Sequence, residues 1–125
     1  MGINDISREC IDAAMKVHTQ LGPGLLESAY QACLEYELRK RGFAVSTQVG
    51  LPVVYEGVRV DIGYRLDLVV EDELVIELKA VDAIHPIHRA QLLSYLRLSG
   101  KKVGLIINFN VLHLKDGITR MVNGL

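Results

Sequence analysis

Two apolar segments joined by three acidic residues constrain the fold of this chain more than any other feature. Val58–Val70 and Leu74–Ala80 have the composition of β-strands, and Glu71-Asp72-Glu73 lies between them. If these acidic residues form a hairpin loop, the two strands pair in a defined register. The pairs on one face are Val70 with Leu74, Leu68 with Ile76, and Leu66 with Leu78. Because all six are apolar, this face is predicted to be buried, and a slip of one residue would bury charges instead.

The opposite face of the predicted hairpin carries two acidic side chains side by side. Its pairs are Val69 with Val75, Asp67 with Glu77, and Arg65 with Lys79. Directly opposed residues have Cβ atoms about 4.5–5.5 Å apart, so the Asp67 and Glu77 carboxylates are predicted to be neighbours. Two interpretations of this pair are open. Arg65 and Lys79 could neutralise it in an exposed, salt-bridged sheet face, or the carboxylates could bind Mg²⁺ or Mn²⁺ through hard oxygen ligands.

Helices and further strands surround the hairpin. Apolar residues at helical spacing predict a helix over 5–21, with Asn4 or Asp5 as its cap, and a second helix over about 25–41. The remaining predicted elements are a strand over 43–49 with an extension over 51–55, a helix over about 86–99, an apolar strand over 103–108 and a short final strand. The order predicts an α/β fold in which helices flank a mixed central sheet.

Length and charge limit the functions open to the chain. Its 125 residues are enough for a single domain, 1–125. Half of the residues are apolar, which argues against disorder. A net charge of −1 excludes nucleic-acid binding through bulk charge, so any such contact must use a local patch or a metal ion.

Targeting signals and thiol chemistry point to the cytoplasm. The apolar runs are too short to cross a membrane, and the N-terminus lacks the pattern of a signal peptide. Cys10 and Cys33 both fall on the apolar stripes of predicted helices. We therefore expect two buried thiols in a reducing compartment, with no disulfide.

Three motifs resemble those of one enzyme group. Asp67 followed by Glu77-Leu78-Lys79 resembles the signature of PD-(D/E)XK nucleases, although Leu66 stands where that motif has proline. Gln91-Leu92-Leu93-Ser94-Tyr95 resembles the QxxxY motif of the RecB-like branch, and Gly24–Tyr30 resembles the GxxExxY motif of a small single-domain family. The resemblance extends from about residue 18 to residue 122 and implies a restriction-endonuclease-like αβββαβ core.

The resemblance also implies an activity and a set of site residues. It implies a metal-dependent nuclease that hydrolyses DNA or RNA, with Glu27, Asp67 and Glu77 as ligands for Mg²⁺ or Mn²⁺. Asp67, Glu77, Lys79 and Gln91 would be catalytic, with Lys79 acting on the phosphate or on the attacking water.

Simpler interpretations of the same residues remain open. Glu27 could have no role beyond a favourable interaction with the dipole of its helix. Tyr95 could be a core aromatic residue with Gln91 as its polar neighbour, and His18 could end its helix without orienting a ligand. The chain as a whole could be a nuclease-fold module that binds nucleic acid or a protein partner without cutting. A domain this small has little surface for recognition, which favours a homo-oligomer or a partner protein.

Overall fold

The computed structural model describes residues 1–124, which form a five-stranded sheet, a separate two-stranded sheet and three α-helices. The helices are α1 (Ile3–Leu21), α2 (Glu27–Lys40) and α3 (Pro86–Ser99), and a 3-10 helix covers Leu114–Gly117. The strands are β1 (Val45–Gly50), β2 (Val53–Tyr55), β3 (Val58–Val60), β4 (Arg65–Val70), β5 (Leu74–Lys79), β6 (Val103–Asn108) and β7 (Ile118–Val122). Within the described residues, no helix has the length and apolar character needed to cross a membrane.

The main sheet has the order β1-β4-β5-β6-β7, in which β5 and β6 run parallel and the other neighbours run antiparallel. The parallel pair is connected through α3, whose start at Pro86 and end at Gly100 agree with the sequence prediction. With the β2–β3 hairpin set aside, the order α2, β1, β4, β5, α3, β6 is the predicted αβββαβ core. The predicted α/β class with a mixed sheet flanked by helices is therefore confirmed.

Apolar clusters lie on both faces of the sheet, because residues of β5 alternate between them. Leu74, Ile76 and Leu78 pack in the cluster that contains α1 and α2, whereas Val75 packs with α3. Helix α3 lies close to the sheet over Gly104, where a Cβ atom would be 3.0 Å from the Leu92 side chain. Because Glu77 is two residues beyond Val75, the sheet directs its side chain toward α3.

The register of the β4–β5 hairpin is confirmed near its loop, where Val70, Val69 and Leu68 pair with Leu74, Val75 and Ile76. The predicted position of Leu66 on the face of Leu68 is wrong. Leu66 packs in the cluster on the α3 side, while Leu68 packs on the other face. The alternation is lost where the neighbouring strand β1 leaves the extended conformation, at Gln48 with φ of +49°. Gln48 lies between the two β1 residues that pair with Leu68 and Leu66.

The segment 58–70 is two strands, not the one that its composition predicts. It is interrupted after Val60, and Gly63 adopts φ of +90° before β4 begins at Arg65. The predicted extension over 51–55 is also not part of the main sheet. Instead, β2 pairs with β3 across Glu56-Gly57, both of which have positive φ angles, as tight hairpins require.

Two further predictions at the helices are wrong. Helix α1 begins at Ile3 with Gly2 as its N-cap, two residues before the predicted start. Cys33 is exposed, because α2 presents Tyr30, Leu34 and Leu38 to the core and Cys33 falls beside that stripe. Cys10 is buried as expected, and this burial raises the pKa of its thiol to about 12.

Candidate active site

Asp67 and Glu77 form a reciprocal pair at the end of the β4–β5 ladder. The Asp67 backbone N–H donates to Glu77 Oε2, and the Leu78 backbone N–H donates to Asp67 Oδ2, each at 2.9 Å. These side-chain acceptors take over where the regular backbone pairs end, at Leu68 and Ile76. Each carboxylate is thereby oriented by one oxygen. Among the described residues, no backbone N–H and no basic side chain donates to the other oxygen.

Burial and mutual repulsion act together on Glu77. Its side chain is almost fully buried, and this burial, followed by the neighbouring charge of Asp67, raises the pKa of Glu77 to about 8. The Asp67 amide and the charge of Lys79 act in the opposite direction but do not compensate. Without a bound cation, burial and the adjacent charge therefore favour retention of a proton by the Asp67–Glu77 pair.

Lys79 is two residues beyond Glu77 on β5 and is half-buried. Its positive charge lowers the pKa values of Glu77 and Glu27, so its ammonium lies near both. Within residues 1–124, no carboxylate oxygen lies within 4.0 Å of a side-chain nitrogen of Lys79 or Arg65, so neither forms an ion pair. The simpler interpretation, a salt-bridged sheet face, is therefore not what the structure contains.

Glu27 is the first residue of α2, the helix that packs on the face of the sheet opposite α3. Partial burial raises the pKa of its carboxyl, and the charge of Asp67 raises it further, while Lys79 lowers it. These influences place Glu27 in the same electrostatic group as Asp67 and Lys79. No side chain caps the helix at Leu26, so Glu27 is positioned by the loop before it.

Tyr30 holds that loop in place. Its hydroxyl donates to the Gly22 carbonyl at 2.6 Å and accepts from the Leu25 N–H at 3.1 Å. Its ring is fully buried and stacks on Phe109, with ring centroids 4.5 Å apart. The glutamate and the tyrosine of the Gly24–Tyr30 motif thus have different roles, because Tyr30 fixes the start of the helix from which Glu27 projects.

Helix α3 closes the site on the opposite face. Tyr95 is buried, and this burial, followed by the charge of Glu77, raises the pKa of its phenol. Gln91, one turn earlier, lies close enough to the Tyr95 hydroxyl to lower this pKa. Gln91 is itself exposed, and no hydrogen bond joins it to Asp67 or Glu77 in the described part of the chain.

The donor set suits a hard divalent cation, although the three predicted ligands are not gathered at one point. Across residues 1–124, no three His, Cys, Asp or Glu side chains form a ready metal-binding group. Asp67 and Glu77 do lie together, and Mg²⁺ is commonly held by one or two carboxylates while it keeps several waters. Asp67 and Glu77 therefore suit such an ion as a site of two carboxylates, and Glu27 lies outside this site.

Sequence reasoning missed Asn108, which fixes the chain just beyond Lys79. Asn108 is buried beside Lys79 in the β5–β6 register. Its amide accepts from the Val81 and Asn110 N–H groups and donates to the Val81 carbonyl, at 2.9–3.2 Å. The Phe109 N–H also donates to the Lys79 carbonyl at 2.9 Å. The available signal was a polar amide at the end of an apolar buried strand.

The histidines lie outside this group of residues. His18 is buried, and its Nε2 atom bonds to the Val111 carbonyl at 2.8 Å, so it anchors a loop. His85 and His88 cap the start of α3. A cavity of about 470 Å³ lies beside His18 and Gly22 and is lined by none of the three acidic residues.

Comparison with known proteins agrees with this arrangement. No curated protein and no solved structure matches the chain. The sequence model of a nuclease superfamily, however, matches residues 4–121, which is nearly the whole chain. This chain therefore belongs to the PD-(D/E)XK nuclease superfamily.

Proposed function

We propose that this protein is a metal-dependent nuclease that hydrolyses phosphodiester bonds of DNA or RNA with Mg²⁺ or Mn²⁺. One observation carries the proposal: reciprocal hydrogen bonds hold Asp67 beside Glu77, and Lys79 lies two residues beyond Glu77 on the same strand. No ion pair neutralises the two acids in the described chain. The raised pKa of Glu77 supports it, because strongly shifted pKa values beside a specific charge partner are typical of functional sites.

The motifs at Gly24–Tyr30 and Gln91–Tyr95 refine the assignment to the GxxExxY family and the RecB-like branch. In this assignment, the Asp67 and Glu77 carboxylates would hold the ion, and Glu27, which lies outside this pair, would contribute its negative charge. When bound, the ion would act as a Lewis acid and would lower the pKa of a water molecule.

The chain's other polar groups act on the substrate. Lys79 places its ammonium against the scissile phosphate, where it stabilises the negative charge that develops in the transition state. Gln91, exposed on α3 beside Tyr95, orients the water or a phosphate oxygen. The backbone bonds to Asp67 and Glu77 keep both carboxylates oriented before substrate binds.

The proposal extends to the setting in which the protein works. Cys10 and Cys33 are both free thiols, which supports a reducing, cytoplasmic location. The small domain supports a homo-oligomer or a partner protein that supplies further recognition surface.

Cleavage by a lysine variant tests the proposal. We expect Lys79→Met to reduce cleavage of DNA and RNA substrates at least about a hundredfold, the usual cost of one lost transition-state donor. Lys40→Met is the matched control, because Lys40 lies at the other end of α2, about 20 Å along the helix from Glu27. Equal cleavage by wild type and Lys79→Met, in preparations of matched purity, would contradict the proposal.

A second candidate function is a nuclease-fold module that binds nucleic acid without cutting. It is favoured by the absence of a gathered three-ligand group among the described residues. It predicts that oligonucleotides bind, that neither Mg²⁺ nor Mn²⁺ produces turnover, and that neither ion raises the melting temperature.

A further inference from the structure

A tyrosine and an arginine outside the proposed catalytic set lie three and two residues before Asp67, where β4 begins. Tyr64 lies three residues before Asp67, and its ring centroid is 5.9 Å from that of Tyr95 at an interplanar angle of 51°. Tyr95 in turn lies near Glu77 and Asp67, whose charges raise the pKa of its phenol. Tyr64 is 42% exposed, so part of its ring is open to a ligand.

Tyr64 and Arg65 line a cavity of about 300 Å³ whose wall also carries Arg59 and Asp61. Arg59 is paired with Asp61 at 3.1 Å. Arg65 has no carboxylate within 4.0 Å among the described residues. The cavity therefore offers an aromatic ring beside a positive charge that no described protein group neutralises.

Contacts with the end of β1 define the backbone at Tyr64 and the space beside Arg65. The Leu51 N–H donates to the Tyr64 carbonyl at 2.9 Å, which ties the segment before β4 to the end of β1. Arg65 lies across Gly50, where its Nη1 atom is 3.2 Å from the point a Cβ atom would occupy. A side chain at Gly50 would therefore crowd the guanidinium, and glycine leaves it room.

We propose that Tyr64 and Arg65 form a nucleotide subsite beside the carboxylates, in which Tyr64 stacks on an unpaired nucleobase and Arg65 binds an adjacent phosphate. Aromatic rings bind bases by stacking when the base is not already stacked within a duplex. The subsite therefore selects single-stranded nucleic acid or a frayed end. This inference rests on the proposed nuclease function and names the substrate class of the same site.

Binding of a fluorescent oligodeoxythymidylate, about twelve nucleotides long, tests the stacking role in the presence of chelator, which prevents cleavage. We expect Tyr64→Ala to weaken this binding by about 5- to 150-fold, as loss of one stacked base does, and to leave affinity for a duplex unchanged. Tyr64→Phe keeps the ring and should bind like wild type. The matched control is Tyr55→Ala, which removes an exposed tyrosine (69%) outside the cavity.

An oligonucleotide with one abasic position separates stacking from a structural effect. If Tyr64 stacks on a base, abasic placement at that base weakens wild-type binding and adds nothing to the loss in Tyr64→Ala. If Tyr64→Ala only disturbs the packing against Tyr95, the substitution weakens binding of the abasic and the intact oligonucleotide by the same factor. That result would overturn the subsite. Equal losses for single strand and duplex would overturn it as well.

The phosphate contact has its own signature. We expect Arg65→Ala to weaken single-strand binding and to reduce the slope of log affinity against log salt by about 0.7, the value for one phosphate of a single strand. An unchanged slope would overturn the role of Arg65.

These measurements also distinguish the subsite from the proposed cleavage. Wild type that binds with the expected base dependence but never cuts would overturn the nuclease and support the subsite. Cleavage that depends on Lys79 but is indifferent to Tyr64 and Arg65 would support the nuclease and overturn the subsite.

Discussion

Two glutamates of this protein have similarly small exposed fractions, and yet their pKa values are shifted in opposite directions. Glu37 on α2 is 8% exposed and Glu77 on β5 is 7% exposed. The pKa of Glu37 lies below its ordinary value, whereas the pKa of Glu77 is raised to about 8. At Glu77 the loss of solvation on burial is the largest cause of the rise, whereas at Glu37 hydrogen bonds from cationic side chains outweigh it.

Glu37 is surrounded by cations of the chain itself. Arg41 Nε lies 2.9 Å from Glu37 Oε2, and Lys16 Nζ lies 3.1 Å from Oε1. Arg41 also contacts Asp12 and Glu9 of α1, at 2.9 and 3.3 Å. This network joins α1 to α2, and its hydrogen bonds from Arg41 and Lys16 favour the charged form of Glu37.

Glu77 faces another acid in place of a bonded cation. Its nearest partners are the Asp67 backbone amide and the Asp67 carboxylate, and no ion pair neutralises either acid within residues 1–124. The missing positive charge must come from a proton or from a bound ion. A structural carboxylate such as Glu37 is thus neutralised by the fold, whereas the proposed metal site is left in need of a cation.

The largest expected effect is that of Glu77→Gln in the presence of chelator. Because the folded-state pKa of Glu77 lies above its unfolded value, stability is lost as pH rises from about 4.5 through about 8. Glu77→Gln carries no such charge, so at about pH 9 we expect it to be more stable than wild type by up to roughly 5 kcal/mol, given 1.36 kcal/mol for each pKa unit between 4.5 and about 8. Urea unfolding across this pH range measures the difference. If Glu77→Gln is less stable than wild type at high pH, the charged form of Glu77 is not destabilising, and the proposed difference from Glu37 is wrong.

A smaller effect is expected from metal binding. Mg²⁺ or Mn²⁺ at a hundredfold excess over its dissociation constant should stabilise wild type by about 2.7 kcal/mol. Asp67→Asn should lose most of this gain, because a charged oxygen ligand is removed, and should be at least as stable as wild type in chelator. Melting curves with chelator and with a metal titration measure both quantities. If millimolar Mn²⁺ leaves the wild-type melt unmoved while Asp67→Asn is clearly weaker, the metal site is wrong.

The smallest effect is expected at Glu37, in the opposite direction. Glu37→Gln should lower the free energy of unfolding by about 1–2 kcal/mol at neutral pH, because it weakens two charge-assisted hydrogen bonds. Since its folded-state pKa is lowered, the contribution of Glu37 is present above about 4.5 and is lost as pH falls through the folded value. The metal-induced gain in stability should be unchanged in this variant. A loss of that gain would mean that the two glutamates are not independent.

Much of the site could be predicted because its parts are close in sequence. Asp67, Glu77 and Lys79 share one hairpin, and the period of two in its strands predicts that the two carboxylates meet. The structure confirms the register near the loop. The predicted face of Leu66 is wrong because the alternation is lost beside Gln48, whose positive φ has no clear signal in the sequence.

The role of Arg65 shows where local pattern stops being informative. Its predicted place opposite Lys79 in the hairpin allowed it to form an ion pair with Asp67 or Glu77. In the structure it lies across Gly50 and lines a cavity with Tyr64. Side-chain direction at a strand end depends on the neighbouring strand, and here that strand is β1, in which Gly50 pairs with Arg65.

By itself, the sequence determined the order of the elements, the pairing of the hairpin near its loop and the meeting of Asp67 with Glu77. These follow from periodicity and loop length, which act between residues close along the chain. Only the tertiary structure decided which acids have cations beside them. Arg41 meets Asp12 and Glu9 because two helices pack together, while Asp67 and Glu77 have no such partner in the described chain. Electrostatic interactions depend on distance in space, and packing sets that distance for residues far apart in the chain.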